Sequence, residues 1–298
     1  MRQQWNRLFD GLVWVAPLFA IVVFSRAAWS EDDKPPDDKT AVLLKTFVGE
    51  FVAITPDEGK FPASFLMGST DGPANERPSH KVTFKSGFAI AKYEVPQNLY
   101  EAVMGQNPSK WKGPRNSVEM MTWTDANEFC RKITNLLHEQ KLIDKSEQIR
   151  LPTEAEWEYC CRAGTTTKYS FGDDAQKADD AAAKATILND YGWHTGNAAG
   201  NDPPVGVLKP NAWGLYDMHG YLWEFTADNW ADDYSHARAD GSAMKLTAGA
   251  ETIVVRSGSW KDRFDKLTST ARRKISVTDA DDAIGFRCVK AAVKLQTQ

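Results

Sequence analysis

The chain has 298 residues, a formal charge of −4, and 42% hydrophobic and 26% charged residues. That length suits one large domain or two small ones, and the composition is ordinary for a globular protein. Residues 1–30 are net basic and the remainder is acidic. The one basic run, Arg272-Arg273-Lys274, is short, so nothing in this balance attracts nucleic acid.

Residues 1–30 read as an export signal. Arg2 and Arg7 give the charged start, residues 11–24 the apolar run, and Ala28 and Ser30 the small residues that a signal peptidase reads. The rival is an uncleaved anchor, and only in that case is a membrane a partner. The run is short for a span, which needs about 20 residues. Residues 31–44 begin with a charged, proline-bearing stretch and are expected to be a disordered linker. A single domain is expected over 45–293, with a tail at 294–298.

Three helices are predicted. Pro96 suits a first turn, with Leu99, Tyr100 and Val103 on one face and Gly105 at the stop. A second begins near Thr124, where Ala126, Phe129, Cys130, Ile133, Leu136 and Leu137 recur at helical spacing. A third begins at Thr153, which forms a capping box with Glu156 and leads into Trp157, Cys160 and Cys161. Candidate strands are Lys81-Val-Thr-Phe, Phe88-Ala-Ile-Ala, Thr252-Ile-Val-Val and Phe286-Arg-Cys-Val. Residues 192–213 are rich in Gly, Asn and Pro and read as a long loop of the kind that often carries function. The chain has 11 Trp, spread singly, which suits an interior filled by large planar side chains rather than by regular layers.

The chemistry-bearing residues are few. No pair among His80, His138, His194, His219 and His236 has metal-ligand spacing, and His194 is expected at the surface. No phosphate loop or Gly-x-Ser-x-Gly elbow is present. Cys160 and Cys161 are adjacent on a helix and read as buried thiols that behave as small apolar side chains.

Several segments in order carry a family resemblance: Phe65-Leu-Met-Gly-Ser, Lys92-Tyr-Glu-Val, Arg150-Leu-Pro-Thr-Glu-Ala-Glu-Trp-Glu-Tyr, Pro210-Asn-Ala-Trp-Gly-Leu-Tyr-Asp-Met-His-Gly, Trp223-Glu-Phe-Thr, Arg256-Ser-Gly-Ser-Trp and Gly285-Phe-Arg-Cys. From about Phe65 to Val289 the chain resembles the formylglycine-generating enzyme, or sulfatase-modifying factor, family. The resemblance implies an α+β fold, an irregular variant of the C-type-lectin-like architecture. It also implies a pocket at Trp223 and Ser259, to which Arg256, Asp262 and Arg272 are candidate polar contributors. It implies a structural calcium ion held by the Asp217 and Glu224 side chains and the Gly220 and Leu222 carbonyls. A disulfide between Cys130 and Cys288 is implied likewise.

One departure matters most. The family's oxidases hold copper on two cysteines between the positions of Trp260 and Arg272. This chain has Lys261, Asp262, Arg263, Phe264 and Asp265 there and no sulfur. Copper(I) needs soft thiolates held close together, so no copper is expected. The expected function is that of an exported, non-oxidase family member that binds a protein, a peptide or a small ligand in the groove. The alternatives are other chemistry in the same pocket, with Asp262 or Asp265 as acid or base, or formylglycine generation itself.

Overall fold

The computed structural model describes residues 37–199, 202–245 and 251–293. The expected export signal and the tail at 294–298 lie outside the described residues.

Helix α1 (Asp38–Gly49) begins inside the stretch expected to be a linker. Asp37 caps it, its carboxylate accepting from the Thr40 amide at 2.8 Å. Leu44 and Phe47, three residues apart on one face, are 0% and 4% exposed and join the main core. The linker expectation is therefore corrected from residue 38 onward. One buried turn anchors a segment whose composition is dominated by charge.

The other helices follow their sequence signals closely. Pro96 is the N-cap of α2 (Gln97–Met104), which ends at Gly105 with φ 78. Helix α3 (Trp123–Glu139) opens on a capping box of Thr122 and Asp125, and its apolar face buries Ala126, Phe129, Cys130, Ile133 and Leu137. Helix α4 (Glu154–Arg162) opens on the predicted capping box of Thr153 and Glu156. Every residue of α4 is buried, so its carboxylates and its arginine need internal partners.

The strands form three small sheets. The first has the order β1-β4-β10-β5, all antiparallel, from β1 (Phe51–Ile54), β4 (Phe88–Ala91), β5 (Glu147–Arg150) and β10 (Val289–Ala292). The second pairs β2 (Ser64–Met67) with β3 (His80–Thr83). The third has the order β8-β7-β6-β9, from β6 (Trp223–Asn229), β7 (Thr252–Arg256), β8 (Arg272–Ser276) and β9 (Ile284–Gly285), with β6 and β9 parallel. The candidate strand over 286–289 is corrected: Phe286, Arg287 and Cys288 lie between β9 and β10, and only Val289 is in a strand. Those three side chains are all buried, so the apolar run reflects burial rather than sheet pairing.

Elements of both types share one core, which gives an α+β architecture. Trp157, Trp213 and Trp223 are 0%, 2% and 4% exposed and fill space between elements that make few ladders. If α1 is part of the domain, Leu44→Ala lowers unfolding stability by about 2–5 kcal/mol in urea denaturation, because it opens a cavity at a fully buried position. A spacer at this position would leave the midpoint unchanged.

Candidate functional site

The turn after β7 carries the first cluster. Asp262 Oδ2 accepts three hydrogen bonds: from Trp223 Nε1 at 2.8 Å, from the Ser259 hydroxyl at 2.6 Å and from the Ser259 amide at 3.0 Å. Strand β6 supplies Trp223, and the turn at 259–262 closes on its own backbone, the Asp262 amide donating to the Ser259 carbonyl at 2.9 Å. The predicted trio of Trp223, Ser259 and Asp262 is thus brought together, with a carboxylate at its centre. Asp265 stands apart on the surface beside Arg263.

Arg256 and Arg272 do not join that cluster, and their assignment to a shared pocket floor is corrected. Arg256 donates to Glu158 Oε2 at 2.7 Å and lies 3.6 Å from Glu154. Arg272 donates to both Glu154 oxygens at 2.7 and 3.0 Å, and its guanidinium stacks on Trp230 and Tyr234. The reason is the charge of α4. Glu154 and Glu158 point inward from a fully buried helix, and the arginines of β7 and β8 answer them. Arg272 edges only a small cavity, of about 30 Å³.

The segment expected to hold calcium is organised by a different cation. Glu224 receives Arg287 Nε at 2.6 Å on one oxygen and the Arg287 terminal nitrogen at 2.7 Å on the other. Trp157 Nε1 adds a third donor at 2.9 Å. Both members of the ion pair are fully buried. Asp217 accepts from the Gly206 amide at 2.9 Å and keeps one buried oxygen without a partner. Burial raises Asp217 to about 6 in spite of that hydrogen bond. Beside them Glu94 is pushed well up, first by burial and then by the charges of Glu224 and Asp217. Gly220 makes the expected tight turn: its φ is 115, and a Cβ there would meet the Trp193 carbonyl at 2.3 Å. Of the two predicted carboxylate ligands, Glu224 is therefore paired with a guanidinium, and Asp217 keeps one buried oxygen without a partner. Among the described residues no three His, Cys, Asp or Glu side chains converge as metal ligands.

The cysteines are all buried. The sulfurs of Cys130 and Cys288 stand 4.0 Å apart as thiols, so the implied partners are neighbours but unbonded in this structure. Burial pushes the Cys161 thiol up to about 12 and that of Cys160 well up, so neither is a ready thiolate. Cys161 donates to the Met218 carbonyl at 3.4 Å and touches His219. His219 is itself buried, with Nδ1 facing the Leu267 carbonyl at 2.8 Å and Nε2 accepting from the Ser170 amide at 3.0 Å. Its surroundings call for a neutral ring protonated on Nδ1. His194, expected at the surface, is 0% exposed and bonded to Asn189 at 2.8 Å.

Sequence reasoning missed one feature. A cavity of about 170 Å³ is lined by Trp111, Glu119, Tyr221, Trp260 and Asp282, among others. Its residues come from five distant segments and share no spacing, so no pattern could have grouped them.

Two outcomes follow from this geometry. Glu224→Gln leaves the buried Arg287 without its countercharge and lowers stability by about 3–5 kcal/mol. In the same thermal-unfolding assay the parent midpoint is the same in calcium and in a chelator, whereas an ion held at Asp217 and Glu224 would separate the two curves. Burial lowers the His219 ring to about 4, well below the ordinary imidazole value near 6.5. An NMR titration of the folded chain therefore finds it neutral at pH 6. The unfolded chain takes up that proton near 6.5 and the folded chain only near 4. Stability from this group is present above the unfolded value and is lost as pH falls through that window.

Comparison with known proteins gives a consistent result. Residues 59–292 match the sulfatase-modifying factor enzyme 1-like domain. The chaperone protein LppX of Paenibacillus barcinonensis is 30% identical over 63% of this chain and 78% of its own length. The formylglycine-generating enzyme of Mus musculus is 30% identical over 82% of this chain, which spans 62% of that protein. Among solved structures, PvdO from Pseudomonas aeruginosa superposes with a TM-score of 0.66 at 28% identity, covering 80% of this chain and 93% of that one. The capping box that opens α4, the β6 strand with Trp223 and the turn at 259–262 all lie inside the matched region, and the chain belongs to the sulfatase-modifying factor enzyme 1-like family.

Proposed function

We propose that this chain is an exported, non-oxidase member of its family that binds a protein or small ligand in the groove beside Trp223 and Ser259. The observation that carries this reading is Asp262. A carboxylate takes the hydrogen bonds of Trp223 and Ser259, and no sulfur lies anywhere in residues 257–271. A carboxylate is a hard ligand, and copper(I) is held by soft thiolates in close pairs. All four cysteines lie elsewhere and are buried. The residues present do not fit a copper(I) site.

Formylglycine generation, the activity in the name of the mouse relative, would need thiolates that this turn does not supply. The name of the Paenibacillus relative, a chaperone, favours a protein partner. Export rests on the charged start, the apolar run and the small residues within residues 1–30. Among the described residues no helix is long and apolar enough to cross a membrane.

The test is copper(I) binding by the purified chain, run alongside aldehyde formation on a Cys-x-Pro-x-Arg peptide. The expected result is neither stoichiometric copper nor aldehyde. Both signals together would restore the oxidase and overturn this reading.

A further inference from the structure

The cavity beside the turn at 259–262 has charged groups in its wall, and the chain itself has answered each of them. Asp282 takes Lys110 at 2.9 Å on one oxygen and Lys261 on the other. Asp202 accepts from the Asn116 side chain at 2.6 Å on one oxygen, and the Tyr221 hydroxyl stands 3.0 Å from the other. Glu119 takes the Lys110 and Trp111 amides at 2.6 and 3.0 Å on one oxygen. Its second oxygen is shielded, so nothing in the cavity reaches it.

The lysines are committed in the same way. Besides bonding Asp282, Lys110 lies over the Trp111 ring at 4.8 Å and Lys261 over the Trp260 ring at 5.3 Å. A charged ligand of either sign would give up its hydration here and find no free countercharge, which is a heavy cost.

The interior offers apolar surface instead. Ala198, Tyr221 and Leu222 line it and are 4%, 3% and 2% exposed. Tyr221 and Leu222 pack with Val205 in a small apolar cluster, and Trp260 lies against that cluster. The cavity is thus a gap at the edge of packed apolar side chains. Its volume is about 170 Å³, and an apolar cavity of roughly 150 Å³ is enough to admit benzene. Wall atoms that face a gap lack the dispersion contacts that a ring would supply. Trp111 also lines the cavity and is 46% exposed, so a ligand has a way in from the surface.

Tyr221 adds a separate observation. Its φ is 93, which is rare for a bulky side chain. Its amide donates to the Trp193 carbonyl at 3.1 Å, and its hydroxyl accepts from the Ser117 amide at 3.2 Å. Strained residues held in place by their surroundings gather at ligand clamps and active sites.

We infer that the cavity between Ala198, Tyr221 and Leu222 binds an uncharged apolar group the size of one aromatic ring. Such a group can belong to a free small molecule or to an apolar side chain of a peptide. The inference names the ligand class for the binding role proposed above and rests on it, since Trp260 belongs to the same turn as Ser259 and Asp262.

The experiment is isothermal titration of the full chain at pH 7 with benzyl alcohol, benzylamine and benzoate, which share one ring and differ in charge. N-acetyl-phenylalanine amide represents a peptide-borne ring. Benzyl alcohol is expected to bind, with benzylamine and benzoate weaker by at least about ten-fold. Ala198→Val narrows the space and weakens benzyl alcohol by about ten-fold, and Ala198→Leu fills it and removes measurable binding. Circular dichroism checks that each variant is folded; if the leucine variant is not, the smaller valine change decides. Binding of the phenylalanine probe as tight as that of benzyl alcohol assigns the site to a side chain, and its exclusion assigns the site to a free small molecule. Benzylamine or benzoate binding as tightly as benzyl alcohol, or unchanged affinity in folded Ala198→Val, would overturn the inference. Absence of copper and aldehyde with no benzyl alcohol binding removes this inference alone; aldehyde formation removes the functional reading whatever the titration shows.

Discussion

Arg287 leaves the short stretch between β9 and β10 and meets the Glu224 carboxylate with two hydrogen bonds, both groups shielded from water. The same side chain also donates to the carbonyls of Lys92 and Tyr216. This double duty recurs. Arg256 bonds Glu158 and also the carbonyls of Ser269 and Thr270. Arg272 bonds Glu154 and the carbonyls of Asn75 and Ala231. Arg162 bonds Glu158 and the carbonyls of Gly68 and Thr167. Long irregular segments have no ladder to satisfy their buried carbonyls, and a buried carbonyl needs a donor. A guanidinium presents five, and a carboxylate from a helix or strand offsets its charge. The loop-rich part of the fold depends on this arrangement.

That constraint decides which polar residues are available for function. The arginines that resemblance placed near the pocket are already committed to α4 and to loop carbonyls, and Glu224 is committed to Arg287. What remains on the open side is the turn at 259–262, where Asp262 collects Trp223 and Ser259, and the adjoining cavity with Tyr221 and Leu222 on its wall. The division is physical. Buried ion pairs in low dielectric are hard to break, because removing either partner strands a charge. The half-buried Asp262 carries no such tie to a countercharge within the chain.

Local signals were legible where one segment encoded them by itself. Thr153 with Glu156 and the apolar spacing of α3 each need only a few neighbouring residues, and both helices formed as read. Helix α1 was hidden because Leu44 and Phe47 gain their burial from distant elements such as α2, while the charge run before them suggests solvent. The stretch over 286–288 looked like a strand because its side chains are buried, yet its backbone joins no ladder. His194 looked exposed because its loop is rich in Gly and Asn, although its ring is enclosed and bonded to Asn189.

The sequence by itself determined the family, the α+β character, the helices that carry their own caps and the absence of sulfur in residues 257–271. These are properties of order and of residue identity. Only the tertiary structure decided that Arg287 meets Glu224, that Arg256 and Arg272 serve α4, and that Trp111, Glu119, Tyr221 and Trp260 line one cavity. Each of those outcomes is a competition for partners between segments far apart in the chain. It is settled by which charge reaches which buried carboxylate first in space, and spacing along the chain carries no record of that.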